Sequence, residues 1–422
     1  MSELTLERGL TAFLAEIDAP TAAYFSSCVH CGLCAEACLF YLETGDPQYT
    51  PIKKLEPLKW VWEQNFTLAG RIKKALGLFK PVTDEMLAAW QELLYDSCSL
   101  CGRCSMVCPV GVDIAYLVRK TREGMVASGH APEGLIEASR RAVQTGSPMG
   151  LQFPTLQAQI KRLEKEGSTQ IPVDQTGADY LILLSSMEII SFPEYLGAVA
   201  KIFKQAGVRW TLSSVCFEAT NAGIQIGSSD IARELVNRIV KAAEHLRVQY
   251  VIGPECGHAF TALRWEGPNL IGRPYPFKAL HIIELLDQLR AEGRLKTTGK
   301  ESDRLTLHDP CNLARKSGCI EPQRRLMGIV AENFVEMTEH GEFNWCCGAG
   351  GGVSSNERAD ALRMKAFRRK KTQMDEIQPD RVVTMCATCR TQLEEGIEEY
   401  KMDIPVIGLT ELIAEHVIDT DE

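Results

Sequence analysis

The sequence predicts a chain built in two styles, a mostly helical N-terminal region followed by a duplicated α/β region. Three observations predict it. Two four-cysteine runs of identical spacing lie before residue 110, separated by amphipathic helical sequence. From about Ala178 onward, short apolar runs alternate with helical patterns, the signature of parallel α/β layers. That alternation restarts near Arg304 in the same order, the mark of an internal duplication. The expected boundaries are 1–135 for the helical domain with an insertion over 44–90, 136–177 for a connecting segment, 178–300 for the first α/β repeat and 301–422 for the second.

Composition narrows the classes. A chain of 422 residues has room for two or three cores, and 45% hydrophobic with 24% charged residues describes an ordinary soluble protein. No apolar run reaches the roughly 18 residues that a membrane-spanning helix needs. Met1 to Leu14 lacks the basic, apolar and small-residue blocks of a signal peptide. A net charge of −9 gives no general reason to bind nucleic acid. The expected location is the cytoplasm, with membrane association only through a partner subunit. Cytosolic thiols are kept reduced, so sixteen cysteines point to metal binding or redox work.

Cys28, Cys31, Cys34 and Cys38 follow C-x2-C-x2-C-x3-C in CVHCGLCAEAC, and Cys98, Cys101, Cys104 and Cys108 repeat it in CSLCGRCSMVC, followed by Pro109. Three thiolates at that spacing wrap three corners of a [4Fe–4S] cubane, and in two-cluster ferredoxins the fourth cysteine ligates the other cluster. This assigns Cys28, Cys31, Cys34 and Cys108 to one cubane, and Cys98, Cys101, Cys104 and Cys38 to its neighbour. Gly32 and Gly102 leave room for backbone near the sulfides. Zinc takes four ligands in paired CxxC knuckles, which fits two such runs poorly.

The insertion opens as a loop from Thr44 to Pro51 and continues as helix through Leu55, Leu58, Val61 and Trp62. A second amphipathic piece covers Leu68, Ile72, Leu76, Leu78 and Phe79, beside Arg71, Lys73, Lys74 and Lys80. It reads as a helical cap over the clusters or as a docking surface for a partner subunit.

In the first repeat, Tyr180–Ser185, Val208–Ser213 and Gln249–Gly253 read as strands, with helices at Pro193–Gln205 and Ile231–Leu246. In the second, Arg304–Asp309, Asn333–Met337 and Arg381–Met385 read as strands, with helices at Pro322–Ala331 and about Asn356–Thr372. Cys311 in HDPC, Cys346 and Cys347 in WCCGAGGG, and Cys386 and Cys389 in MCATC all follow predicted strands, where open α/β folds gather ligand sites. Adjacent cysteines serve two irons of one cluster better than one zinc. The glycines at 348, 350, 351 and 352 are expected to turn backbone N–H groups toward sulfides.

The pattern C-x34-CCG-x37-C-x2-C resembles the cysteine-rich CCG motif of heterodisulfide reductase catalytic subunits. With the two ferredoxin runs, the resemblance covers nearly the whole chain from about Phe25. It implies a ferredoxin-like domain joined to a duplicated CCG domain, and a noncubane [4Fe–4S] cluster held by Cys311, Cys346, Cys347, Cys386 and Cys389. The first repeat departs from the motif. It has Ser185 and Ser186 for the opening cysteine, Cys216 alone for the adjacent pair, and Cys256 alone for the last pair, with Gly253 in the other place. This decay resembles the DsrK-type branch, and two cysteines cannot supply five ligands, so one noncubane cluster is expected and not two.

The resemblance implies an oxidoreductase subunit of sulfur metabolism. Two cubanes pass electrons to or from the noncubane cluster, which reduces a disulfide or persulfide or oxidises thiols. The expected partners are other redox subunits, such as a membrane cytochrome or flavoprotein, and a thiol or disulfide substrate or small sulfur-carrier protein. The alternative is the relay subunit of a flavin-dependent 2-hydroxy-acid (glycolate or lactate) dehydrogenase. Cys256 and His258 are the candidate catalytic thiol and proton donor, facing a cavity between the repeats. Cys216 and Cys319 read as buried structural cysteines, and the basic run Arg363, Lys365, Arg368, Arg369, Lys370 and Lys371 as a solvated helix face.

Overall fold

Helices in the N-terminal region begin where the sequence supplies a cap. Asp18 accepts from the Thr21 N–H at 2.9 Å ahead of helix Ala19–Ser27. Thr83 does the same for Asp84–Gln91, and Asp113 for Ile114–Ala127. Helices Pro51–Phe66, Leu68–Ala75 and Asp84–Gln91 together fill most of the expected insertion. In this computed structural model, which describes residues 3–418 apart from 168, the chain divides into two compact units. The first comprises Met1–Glu137, Ala222–Ser229 and Gly348–Arg369, and the second the remainder.

The first unit is a helical bundle around Phe13, Leu58, Leu87, Leu94, Leu117 and Val118, all fully buried. Helix Glu3–Ala15 lies so close on Ile114–Ala127 that a Cβ at Gly124 would stand 2.3 Å from the Phe13 ring. Both cysteine runs have one loop geometry. His30 (φ 54°) and Gly32 (φ 83°) in the first correspond to Leu100 (φ 52°) and Gly102 (φ 77°) in the second. A non-glycine residue held left-handed at the same place in each loop is local strain that the surrounding fold must maintain.

The second unit holds two parallel sheets. The strands are β1 Tyr180–Ile182, β2 Trp210–Thr211, β3 Tyr250–Gly253, β4 Lys278–His281, β5 Glu301–His308, β6 Ala331–Phe334, β7 Arg381–Thr384 and β8 Val406–Gly408. Their orders, β2-β1-β3-β4 and β6-β5-β7-β8, are the same. The expected strand in each repeat's middle is shorter or shifted: β2 keeps two residues, and β6 starts where helix Glu321–Val330 ends. β4 and β8 are additional to the six expected strands.

The repeats pack reciprocally. Helix Glu194–Ala206 of the first lies on Leu409–His416 of the second, while Ile282–Ala291 of the first lies on Glu321–Val330 of the second. Each pairing is the other with the repeats exchanged, so the two halves are related by a pseudo-two-fold axis. The short helices at the strand ends obey the same rule: Gly257–Thr261 meets Cys311–Ala314, and Ser186–Ile190 meets Ala387–Glu399. One hydrophobic core, including Leu184, Phe203, Leu286, Leu307, Leu326 and Leu412, serves both sheets.

Candidate functional site

In the first unit, the cysteines surround two cavities. Cys28, Cys31, Cys34 and Cys108 line one, with Ile52 and Leu55 on its apolar wall. Cys38, Cys98, Cys101 and Cys104 line the other, where Lys54 adds a charge. Lys54 is 2% exposed, its Nζ 3.4 Å from Cys38 Sγ, and it also donates to the Ser97 carbonyl. Burial works against its charge, yet the thiolates of Cys38, Cys98 and Cys104 bring its pKa to the high side.

Arg122, fully buried, braces the same loop. It donates to the carbonyls of Leu94, Cys98, Gln225 and Gly351, the last two at 2.6 Å. In the glycine run after the paired cysteines, Gly348, Gly351 and Gly352 take left-handed φ values, as the expected sharp turn requires, and two of them also allow close packing. A Cβ at Gly351 would meet the Ser99 carbonyl carbon at 2.8 Å, and one at Gly352 the Leu135 side chain at 2.7 Å. These two glycines let the backbone lie flat against the second cysteine loop and Leu135.

In the second unit, the parallel strands end in buried thiols. Cys311 Sγ is 3.9 Å from Cys346 Sγ, and Cys347 Sγ is 3.4 Å from Cys389 Sγ. His308, at the end of β5, lies with Cys347 and Cys389 in a group whose ligand atoms are all within 4.8 Å. A second such group is Cys256, His258 and Cys386. Cys386 is the N-cap of the helix after β7 (φ −150°, ψ 111°), and Cys256 is the N-cap of the helix after β3 (φ −146°, ψ 99°). They are the same position in the two repeats and lie side by side, so the pseudo-two-fold axis passes close to both. Cys256 therefore lies directly against a second-repeat thiol.

The topology also revises which residue replaces the lost partner of Cys256. Cys389 is the third residue of its helix, and the third residue of the matching helix is Ala259, so Ala259 and not Gly253 stands in that place. Ser186 opens its helix as Cys311 opens the equivalent one, and it donates to Glu218 at 2.5 Å. Burial pushes the Glu218 carboxyl up to about 7. Cys216 and Cys319 sit in apolar surroundings, and burial pushes both thiols up to about 12.

Hydrogen bonds decide which thiols ionise. Those from Cys346 and then Cys389 hold Cys347 well below the usual thiol range despite burial, with His308 adding to them. Those from Cys256 and Cys389 do the same for Cys386, with help from His258. Cys256 is pushed well up by the thiol hydrogen bond to Cys386 and by burial. His258 is 8% exposed, and its Nε2 has no hydrogen-bond partner among the described residues.

Two basic groups escaped the sequence reading. His308 was readable only as part of HDPC, its position at a buried strand end being a product of the sheet. Lys370, counted with a solvated face, is 1% exposed. Its Nζ donates to Gln373 at 2.7 Å, and burial brings its pKa down to about 8 although Asp309, Cys347, Cys346 and Cys389 oppose that. Helix Asp360–Ile377 turns one edge of its basic run inward, and Arg363 is buried as well.

The donor set is soft: thiolates with imidazole at the margin suit iron–sulfur chemistry and exceed what one tetrahedral zinc takes. The comparisons agree. Residues 24–112 match a 4Fe-4S dicluster domain and residues 305–394 a cysteine-rich CCG domain. The chain is 28% identical to the "Hdr-like menaquinol oxidoreductase iron-sulfur subunit 2" of Archaeoglobus fulgidus, over 94% of this chain and 80% of that protein. It is also 28% identical to one subunit of the "Dihydromethanophenazine:CoB--CoM heterodisulfide reductase" of Methanosarcina barkeri, over 97% of this chain and 96% of that protein. A third relative, the "EtfAB:quinone oxidoreductase" of Syntrophomonas wolfei, is 26% identical over 88% of this chain and 55% of its own length. With a dicluster domain, a CCG domain and relatives of this kind along most of its length, the chain is similar to the iron–sulfur subunits of heterodisulfide-reductase-like oxidoreductases.

Proposed function

We propose that this chain passes electrons through two [4Fe–4S] cubanes to or from a noncubane [4Fe–4S] cluster, at which a disulfide or persulfide is reduced or thiols are oxidised. The cubane ligands are Cys28, Cys31, Cys34 and Cys108, and Cys38, Cys98, Cys101 and Cys104. The noncubane ligands are Cys311, Cys346, Cys347, Cys386 and Cys389. The observation that carries the reading is the convergence of these five buried thiols with a sixth, Cys256, beside the unpartnered Nε2 of His258.

When bound, such a cluster supplies single electrons and a Lewis-acidic iron. The protein does the rest. In the reductive direction Cys256 gives its proton to His258 and bonds one sulfur of the disulfide as the S–S bond breaks, and His258 returns that proton to the departing thiolate. Two electrons, delivered one at a time, and two protons then open the mixed disulfide and restore the Cys256 thiol, while the apolar strand ends exclude bulk water. Electrons come from or go to other redox subunits, of membrane-cytochrome or flavoprotein type. The relatives' names, among them a menaquinol oxidoreductase and a heterodisulfide reductase, support such partners. The substrate is a small disulfide or a sulfur-carrier protein.

The closeness of Cys256 to Cys386 favours a second reading for this one residue, that Cys256 is itself an iron ligand. One experiment covers both. Anaerobically purified protein is expected to hold about 12 irons, four for each of three clusters, and Cys347→Ser about 8. Cys256→Ala keeps the full load and the EPR signal of the oxidised, substrate-free protein but loses the change in that signal on adding a dithiol. An altered substrate-free signal makes Cys256 a ligand. Wild-type protein near 8 irons, indifferent to Cys347→Ser, rules out the noncubane cluster.

A further inference from the structure

Helix Leu68–Ala75 carries its apolar side outward. The face at Gly70 is turned inward, where a Cβ would stand 1.7 Å from the Glu63 carbonyl oxygen. One turn on, Lys74 lies on that same face and its Nζ donates to Asn65 Oδ1 at 2.7 Å. The opposite side carries Leu68, Ile72 and Leu76, spaced as a single stripe, and they are 77%, 52% and 68% exposed. Phe66 and Leu78 extend the stripe at 53% and 69%. A contiguous exposed apolar surface of this kind marks an interaction site, whereas scattered ones do not.

Charge indicates what covers it. Between Glu63 and Asp84 there is no acidic residue, while Arg71, Lys73, Lys74 and Lys80 are basic, in a chain of net charge −9. Arg71, Lys73 and Lys80 are exposed beside the stripe. Apolar side chains flanked by cations are the chemistry of a helix lying in the interface of an anionic bilayer, with leucines among the acyl chains and basic groups at the phosphates. Beneath the segment, Leu10, Leu14, Val61 and Phe79 line a cavity of about 230 Å³. Gln64 also lines it, with a buried side-chain N–H that has no partner among the described residues. No described helix is long and apolar enough to cross a membrane, so the contact is interfacial.

We propose that the segment from Phe66 to Lys80 is a membrane-docking wedge that seats this chain on anionic phospholipid. The proposal does not depend on the substrate or on the number of clusters. The test is co-sedimentation of the full chain with vesicles of phosphatidylcholine alone or with a third of phosphatidylglycerol. Binding is expected to the mixed vesicles, to weaken as salt rises, and to fall at least tenfold in Leu68→Ser/Ile72→Ser/Leu76→Ser, whose visible absorbance and iron content stay those of the parent. Arg71→Gln/Lys73→Gln should lose binding to the anionic vesicles in particular. Absence of binding to mixed vesicles overturns the proposal, as does equal binding by the triple variant. So does retention only on vesicles that carry an integral redox subunit, which would assign the stripe to a protein partner.

Discussion

Lys54 places a full positive charge inside the wall of one cysteine-lined cavity, and the other cavity has only His30 among its lining residues as an ionisable group besides its cysteines. A cation there favours the more negative, reduced form of whatever those thiolates hold. Taking an effective dielectric constant of about 20 over about 6 Å, removing it lowers the reduction potential by roughly 0.1 V. Lys54→Met should thus shift one of the dicluster domain's two midpoints downward in an EPR-monitored redox titration and leave the other in place, with Lys54→Arg restoring most of the shift. Equal movement of both midpoints would contradict it. Glu218 gives the second prediction at this scale. Its carboxyl titrates near 4.5 when unfolded and at about 7 when folded. Below pH 4.5 both states hold the proton. Between 4.5 and 7 only the folded state keeps it, so stability falls as pH rises, by about 3 kcal/mol in all, and is flat above 7. In Glu218→Gln the loss of melting temperature from pH 5 to pH 8 should shrink; an unchanged slope would show that Glu218 is ionised throughout.

At the scale of elements, close approach is the theme. A Cβ at Gly257 would lie 2.7 Å from the Leu313 backbone nitrogen. Backbone cannot swing aside as a side-chain tip can, so Gly257→Ala should cost about 1–3 kcal/mol by forcing apart the helices that begin at Cys256 and Cys311. Differential scanning calorimetry would read it, and a melting temperature within a degree of the parent would refute the contact. Much at this scale was legible. The strands holding the cysteines announce themselves by apolar runs, and the duplicated order follows from their recurrence. β4 and β8 were not legible, because edge strands of three or four residues, one beginning with the exposed Lys278, show no period to read. Nor was the neighbourhood of Cys256 and Cys386, since 130 residues separate them and only the exchange symmetry of the repeats brings equivalent caps together. Lys370 was misread for a related reason. A basic run on a helix looks solvated until a second element is laid over one edge.

The largest scale concerns how the two repeats share their stability. Helices of the first cover helices of the second at both reciprocal contacts, so neither core closes by itself. Leu286→Ala, a fully buried change in the first repeat, should cost about 2–5 kcal/mol. It should also lower the iron retained at the noncubane site proposed for the second, with the unit still melting in one transition. Two separate transitions, with that iron unaffected, would show the repeats to be independent.

The pseudo-two-fold axis beside Cys256 and Cys386 has one more consequence. A motif that has decayed in one copy would ordinarily leave that copy free to vanish from the gene. Here it cannot, because the copy is still half of a seam. The chain behaves as a dimer whose subunits were spliced end to end, and splicing released them from having to be identical. One half can keep its thiols in place while the other exchanges its own for serine and alanine. A true homodimer could never make that division, since every substitution would appear on both sides of its axis at once.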